Sequence, residues 1–237
     1  MIVGQLIIDW ENLPTYNTIM SVAAGAGLIM VVRLGRSLLT GERDVSSEGY
    51  SMAFAVVGSI LTITGAHMTL TWPLAPDFPF DNIIFGEPAL AFGVLLLAAA
   101  FFGWRRGPEL MARSGEAGLT LAVLRPVSPF VFGLGLSCLG IAAAGVAFEL
   151  FAAPPQEPIT GLVTEISPWI EIIFMSAVYA IVGVGGVLFP LVVRGNARAA
   201  TVTGWAWAIS GWIFLLFGAY NFFTHIGLIV NTMAPPQ

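Results

Sequence analysis

Six apolar segments divide the chain and limit its folding more than any other feature. They lie near Thr15–Arg33, Met52–Trp72, Pro88–Trp104, Pro129–Phe151, Pro168–Val193 and Thr203–Ile229. A helix needs about 20 predominantly apolar residues to cross a bilayer. Inside lipid, every backbone N–H and C=O must find its partner within the protein, which leaves helices for segments of this kind. The expected fold is therefore all-α: one transmembrane domain over residues 1–237, built as a six-helix bundle. Composition agrees, with 57% hydrophobic and 10% charged residues, where a soluble domain carries about 25% charged.

Local chemistry marks several helix starts. Ser128-Pro129 and Ser167-Pro168 read as an N-cap followed by proline in the first turn, and Glu87-Pro88 is a looser version. The sixth segment is longer than one crossing needs, so it is expected to tilt or to project.

Arginine placement gives the orientation. All nine cationic residues are arginine. Arg33, Arg36 and Arg43 lie between segments one and two, Arg105, Arg106, Arg113 and Arg125 between three and four, and Arg194 and Arg198 between five and six. The positive-inside rule makes those loops cytoplasmic and places both termini outside. Trp10, Trp72 and Trp169 then mark the outer interface, and Trp104, Trp205 and Trp207 the inner one. The expected location is the cytoplasmic membrane, crossed several times. The start MIVGQLIIDWENLP lacks the pattern of a cleavable signal peptide. One cysteine, Cys138, excludes an internal disulfide and cysteine-based zinc or iron–sulfur sites. The acidic balance argues against a nucleic-acid partner. The expected partners are the lipid bilayer and other membrane subunits or further copies of the chain.

Ionisable residues within the apolar segments are costly and point to function. His67 lies five residues before Trp72, about 7 Å inside the outer end at 1.5 Å per residue. Glu87 opens the third segment on that side, Glu149 closes the fourth, Glu171 lies three residues into the fifth, and His225 is near the outer end of the last. Five potential ligands on five helices thus share the outer leaflet. Helical spacing predicts that they face inward. Thr64, His67 and Thr71 share a face, as do Asn221 and His225. Gly135, Cys138, Ala142, Gly145 and Glu149 form another stripe, and so do Glu171, Met175 and Tyr179. Asn17 and Ser21 lie on one face of the first helix.

Simpler readings exist for most of these. Glu87 and Glu171 fall in first helical turns, where the helix dipole favours a carboxylate. Glu149 is close enough to the interface to reach water. Met68 and Met175 suit packing. An outer face holding Asp9, Glu11, Asp77, Asp81, Glu157 and Glu165 would attract cations, or it merely reflects the absence of arginine there.

Imidazole with carboxylate suits a transition metal such as copper, iron or zinc. The first expectation is therefore a metal held by His67, His225, Glu87, Glu149 and Glu171, with redox or oxygenase-type chemistry. Thr64, Thr71, Asn221, Tyr179 and Asn17 would support those ligands from behind. A second reading ligates one haem b between the two histidines for electron transfer. A third is a non-catalytic accessory subunit of a membrane complex. No Walker, serine-elbow or dinucleotide motif is present, and the residues leave open whether the chain is an enzyme.

The stretches PTYNTIMSVAAGAG, GAHMTLTWPLAPDFPFDNIIFGEPALAFG and SPWIEIIFMSAVYAIVGVGG resemble a family of bacterial and archaeal membrane proteins catalogued as domain of unknown function 981. The resemblance runs over most of the chain. It implies the polytopic class and brings no activity or site residue.

Overall fold

The computed structural model describes residues 8, 10, 13–42, 45–75, 77–112, 115 and 121–233. Asp9, Glu11, Arg43 and Arg113 lie outside the described residues. The regular elements among the described residues are all helical. Six helices have the length and hydropathy to cross a membrane: α1 (Asn17–Thr40), α2 (Ser47–Thr71), α3 (Pro79–Ala112), α4 (Ser128–Ala147), α6 (Trp169–Val192) and α7 (Ala197–Met233). A short helix, α5 (Thr160–Ile166), lies between α4 and α6.

Each boundary has a local cause. Gly41, at φ 76°, closes α1 by donating its N–H to the Ser37 carbonyl, a backbone conformation that glycine adopts without penalty. Ser46 Oγ accepts from Gly49 N–H at 3.0 Å and opens α2. Trp72 caps α2 in the left-handed region, and Pro73 cannot continue the helix. Pro79 starts α3, which soon passes through a π turn at Asn82–Gly86. The Asn82 side chain is buried there; it accepts from Leu74 N–H and donates to the Pro79 carbonyl. The expected start of this helix at Pro88 is thus nine residues too late. The fourth helix, expected to reach Phe151, ends at Ala147.

The helices pack side by side in the order α3, α2, α1, α7, α6, α4, with only a narrow contact between α3 and α4. Glycine permits the closest approaches. A Cβ on Gly25 would stand 2.5 Å from the Gly211 carbonyl oxygen, and one on Gly135 would stand 2.9 Å from that of Gly183. Small residues let helix backbones meet in this way inside lipid, where packing replaces the hydrophobic drive. The outer surface is strongly apolar, with Leu70, Met52 and Ile63 at least 70% exposed. A bilayer would solvate such a surface, whereas water would not tolerate so extensive a patch.

The described arginines gather at one end of the bundle, late in α1 and α3 and around the α6–α7 turn. The opposite, arginine-free end carries the start of α1 and the segment 148–168. That segment docks on α7. Asn231 Nδ2 donates to the Gln156 carbonyl at 2.8 Å, and any Cβ on Gly227 would overlap the Pro158 ring. At 37 residues, α7 extends about 55 Å against about 30 Å of hydrocarbon. The excess length expected of this helix is present, and its last turns form the platform for this loop.

Candidate functional site

The polar centre of the arginine-free end is built around the first residues of α1. Tyr16 and Asn17 are consecutive, so their side chains leave the helix in different directions. Tyr16 reaches α2, where its hydroxyl lies 2.6 Å from His67 Nδ1. The two rings meet edge to face, with centroids 5.6 Å apart. Asn17 reaches α7, where its Nδ2 lies 3.3 Å from His225 Nε2. The two histidines are therefore held on opposite flanks of α1.

His225 meets a carboxylate on its other nitrogen. Nδ1 is 3.3 Å from Glu157 Oε1, with the His225 side chain 18% and the Glu157 side chain 8% exposed. The Thr224 hydroxyl is 3.4 Å from the same imidazole nitrogen. Glu157 comes from the docked loop. Burial raises its pKa, but hydrogen bonds from His225, Thr224 and Thr160 and the positive charge on His225 outweigh that, leaving it below the ordinary glutamate value. Glu157 is accordingly an ionised carboxylate at neutral pH.

The backbone is strained where it presents this carboxylate. Ile159 has φ 68° and ψ −60°, and Thr160 N–H donates to the Pro158 carbonyl at 2.8 Å. This is the rarer of the two γ-turns. A β-branched residue at positive φ is costly and persists only where its surroundings impose it. Here Pro158 against Gly227 and Gln156 against Asn231 impose it from both sides of Glu157.

The expected five-ligand cluster does not assemble. Among the described residues, no three His, Cys, Asp or Glu side chains come together in a group able to hold a metal ion. Glu87 is exposed, on the outward stripe of α3 with Ile83 and Val94. The buried face of α3 runs through Ala89, Gly93, Leu96 and Ala100, and Glu87, two residues before the first of these, falls on the opposite side of the helix. Glu149 lies beyond α4, exposed and at φ 56°, so it does not continue the buried stripe of Gly135, Cys138, Ala142 and Gly145. Glu171 is committed to the loop, where Oε2 accepts from Ala153 N–H at 2.8 Å and from the Thr164 hydroxyl at 2.6 Å. His67 is exposed instead of facing inward.

The expected supporting residues also divide. Thr64 and Thr71 donate to the carbonyls of Ile60 and His67 within their own helix. Tyr179 donates to Ile84 O at 3.1 Å and ties α6 to the π turn of α3. Asn17 alone bonds to a histidine side chain. The side-chain oxygens of Asn17 and Asn221 are both buried without a hydrogen-bond partner, and such groups usually have a cause.

A model of the family described as "Protein of unknown function (DUF981)" matches residues 14–227. The chain belongs to that DUF981 family. No curated protein and no solved structure matches it. Residues 14–227 include Tyr16, Asn17, His67, Glu157 and His225, so the whole polar centre falls within the part that defines the family.

In the sequence Glu157 stands only as one of several acidic residues of the outer face. Its local signal is the run PPQEP, in which prolines bracket a single acid and stiffen its loop. Tyr16 had no such signal beyond standing next to Asn17.

Proposed function

We propose that this chain is a multi-pass protein of the cytoplasmic membrane that performs acid–base chemistry at its extracytoplasmic end, with His225 as the group that exchanges protons. The observation that carries this reading is the buried Glu157–His225 pair. The carboxylate holds the proton of Nδ1 and fixes the ring, which leaves Nε2 as the exchanging nitrogen. Asn17 suits both states of that nitrogen. Its Nδ2 donates to an unprotonated Nε2, and its oxygen would accept from Nε2–H after the amide turns over. Histidine is suited to such a role because its ordinary pKa lies near neutrality. The Tyr16–His67 pair is a second, exposed exchange group on the opposite flank of α1. The direction assigned to the membrane rests on the arginines gathered at the far end. Proton exchange is assigned to one side only, because the arginine-end halves of the spans offer no comparable histidine–carboxylate pair.

Histidine-selective 15N NMR on the protein in lipid nanodiscs tests this. The His225 signals should report a proton on Nδ1 and an unprotonated Nε2 that exchanges with solvent, and Glu157→Gln, which removes the carboxylate, should shift the proton between the two nitrogens. Tautomer and exchange left unchanged by Glu157→Gln would reduce the pair to a structural contact.

One observation favours a second reading. The unpartnered oxygens of Asn17 and Asn221, with Glu157 and His225, would offer oxygen and nitrogen donors to a cation. A transition metal would then be held here by a set sharing only His225 with the expected ligands. A haem ligated by both histidines fits poorly, because α1 packs between α2 and α7 and holds one imidazole on each flank.

A further inference from the structure

At the arginine-bearing end, α1 and α2 splay apart and leave an open cleft of about 940 Å³. One wall is the α1 stripe Met30, Arg33, Arg36 and Ser37, and the other is the α2 stripe Ser46, Tyr50 and Ala53. We propose that this cleft binds the headgroup of an anionic phospholipid, with Arg33 and Arg36 holding its phosphodiester.

Three observations separate these arginines from residues that merely fix orientation. Arg33 and Arg36 are one turn apart on the same face of α1, and that face is a wall of the cleft. Among the described residues neither has a carboxylate partner, which Arg105, Arg194 and Arg198 share without lining the cleft, whereas Arg106 pairs with Glu109 at 2.8 Å and Arg125 donates to the Val193 carbonyl. The one acid on the cleft wall, Glu42, accepts from the Ser37 hydroxyl at 2.8 Å, so its position is fixed within the α1 cap. Guanidinium forks match phosphate oxygens bidentately, and the Ser46 hydroxyl lies on the opposite wall.

The cleft also has the vertical profile of a lipid. Between Met30 and Gly41 it follows α1 for about 16 Å at 1.5 Å per residue. Its deep part is apolar, lined by Met30 and Ala53. Its middle carries the two guanidinium groups and Tyr50, a side chain favoured at headgroup level. A headgroup at the arginines would place its glycerol and upper acyl carbons against Met30 and Ala53. A free phosphate would fill only the middle. Basic pockets between transmembrane helices hold anionic headgroups by this chemistry.

The test is native mass spectrometry and a lipid titration on the purified full chain, using phosphatidylglycerol, phosphatidylcholine and inorganic phosphate as separate probes. The unaltered protein should retain phosphatidylglycerol in preference to phosphatidylcholine, and inorganic phosphate at equal concentration should not displace it. The double variant Arg33→Gln/Arg36→Gln should bind phosphatidylglycerol about 25-fold more weakly, roughly fivefold per arginine, and Arg36→Gln alone about fivefold. Arg105→Gln/Arg198→Gln removes the same charge from the same end and should stay within about twofold of the unaltered protein. Equal loss in the two double variants would overturn the site in favour of general surface charge. Equal retention of both lipids by the unaltered protein would overturn it without any variant, and efficient competition by inorganic phosphate would replace the lipid with a soluble anion.

Discussion

The Glu157–His225 pair can be tested by a double-mutant cycle whose expected size follows from its geometry. The two groups stand 3.3 Å apart, and with His225 protonated the gross attraction is about 5 kcal/mol at an effective dielectric of about 20. Most of that is returned as the cost of withdrawing both groups from water. A hydrogen bond to a charged partner retains about 1.5–3 kcal/mol. His225→Gln leaves a buried carboxylate supported by Thr224 and Thr160 alone and should cost about 2–3 kcal/mol. Glu157→Gln keeps an oxygen acceptor for Nδ1–H and should cost about 1–2 kcal/mol. Once either is gone the other has little left to lose, so the double variant should fall short of the sum by about 1.5 kcal/mol. Reversible unfolding in detergent gives the energies, and hydrogen exchange over 152–161 shows whether the loss is undocking of the loop. Costs that add to within about 0.5 kcal/mol would mean that the two residues do not interact.

Acid should undock the same loop. Because Glu157 is held below the ordinary glutamate value of 4.5, its stabilising effect is complete above that value and is lost as pH falls through the depressed folded-state value. Exchange protection of 152–161 should therefore be flat from neutral pH down to that range and then decline, and Glu157→Gln should abolish the decline. Ile159→Gly removes a side chain from positive φ at a gain of about 1–2 kcal/mol, offset by about 0.5–1 kcal/mol of chain entropy. The variant should unfold no earlier than the parent, and a loss above about 1 kcal/mol would show that the Ile159 side chain is itself needed. Elemental analysis separates the two readings of the site. Acid–base chemistry predicts no stoichiometric metal, while a bound metal that survives His67→Ala and is lost in His225→Ala would establish the cation reading.

The scaffold was legible in the sequence because lipid imposes one strong rule. A span is a run of apolar residues, and all six expected spans are helices. The polar residues were legible in depth but not in direction. His67 and Glu87 lie at the expected end of the bundle yet on exposed faces. Helical phase shows why: the buried face of α2 runs through Leu61, Gly65 and Met68 and that of α3 through Ala89, Gly93 and Leu96, so neither residue is on the face that packs, and in a lipid-facing helix an apolar pattern does not tell the two faces apart. Glu149 failed differently. Its stripe of small residues is correct through Gly145, but the helix ends two residues before it, in a turn whose left-handed backbone at Glu149 has no glycine to announce it. Glu157 was hidden by a third cause. Its partner is 68 residues away in sequence, and their contact depends on a loop folding back over a helix longer than one crossing requires.

That overhang decides what kind of site this can be. Had α7 ended at the length one crossing requires, His225 would lie at the membrane surface with no wall behind the loop. The further turns to Met233 supply Asn231, and the site-side turn supplies Gly227, which hold Gln156 and Pro158 against the helix. They bury Glu157 over His225 and supply the strain at Ile159. A carboxylate that served only to orient the protein in the membrane would need neither burial nor a strained turn, and would be as exposed as Glu165 in the same segment. Deleting the overhang therefore separates structure from chemistry. A chain ending after Ile229 keeps all six spans but loses the Asn231 anchor, so it should remain a folded membrane protein whose His225 has lost the Glu157 contact and exchanges its ring N–H proton faster. The 15N spectra of that shortened chain beside the full one measure the effect, and identical His225 shifts and exchange would show that the docked loop does nothing to His225.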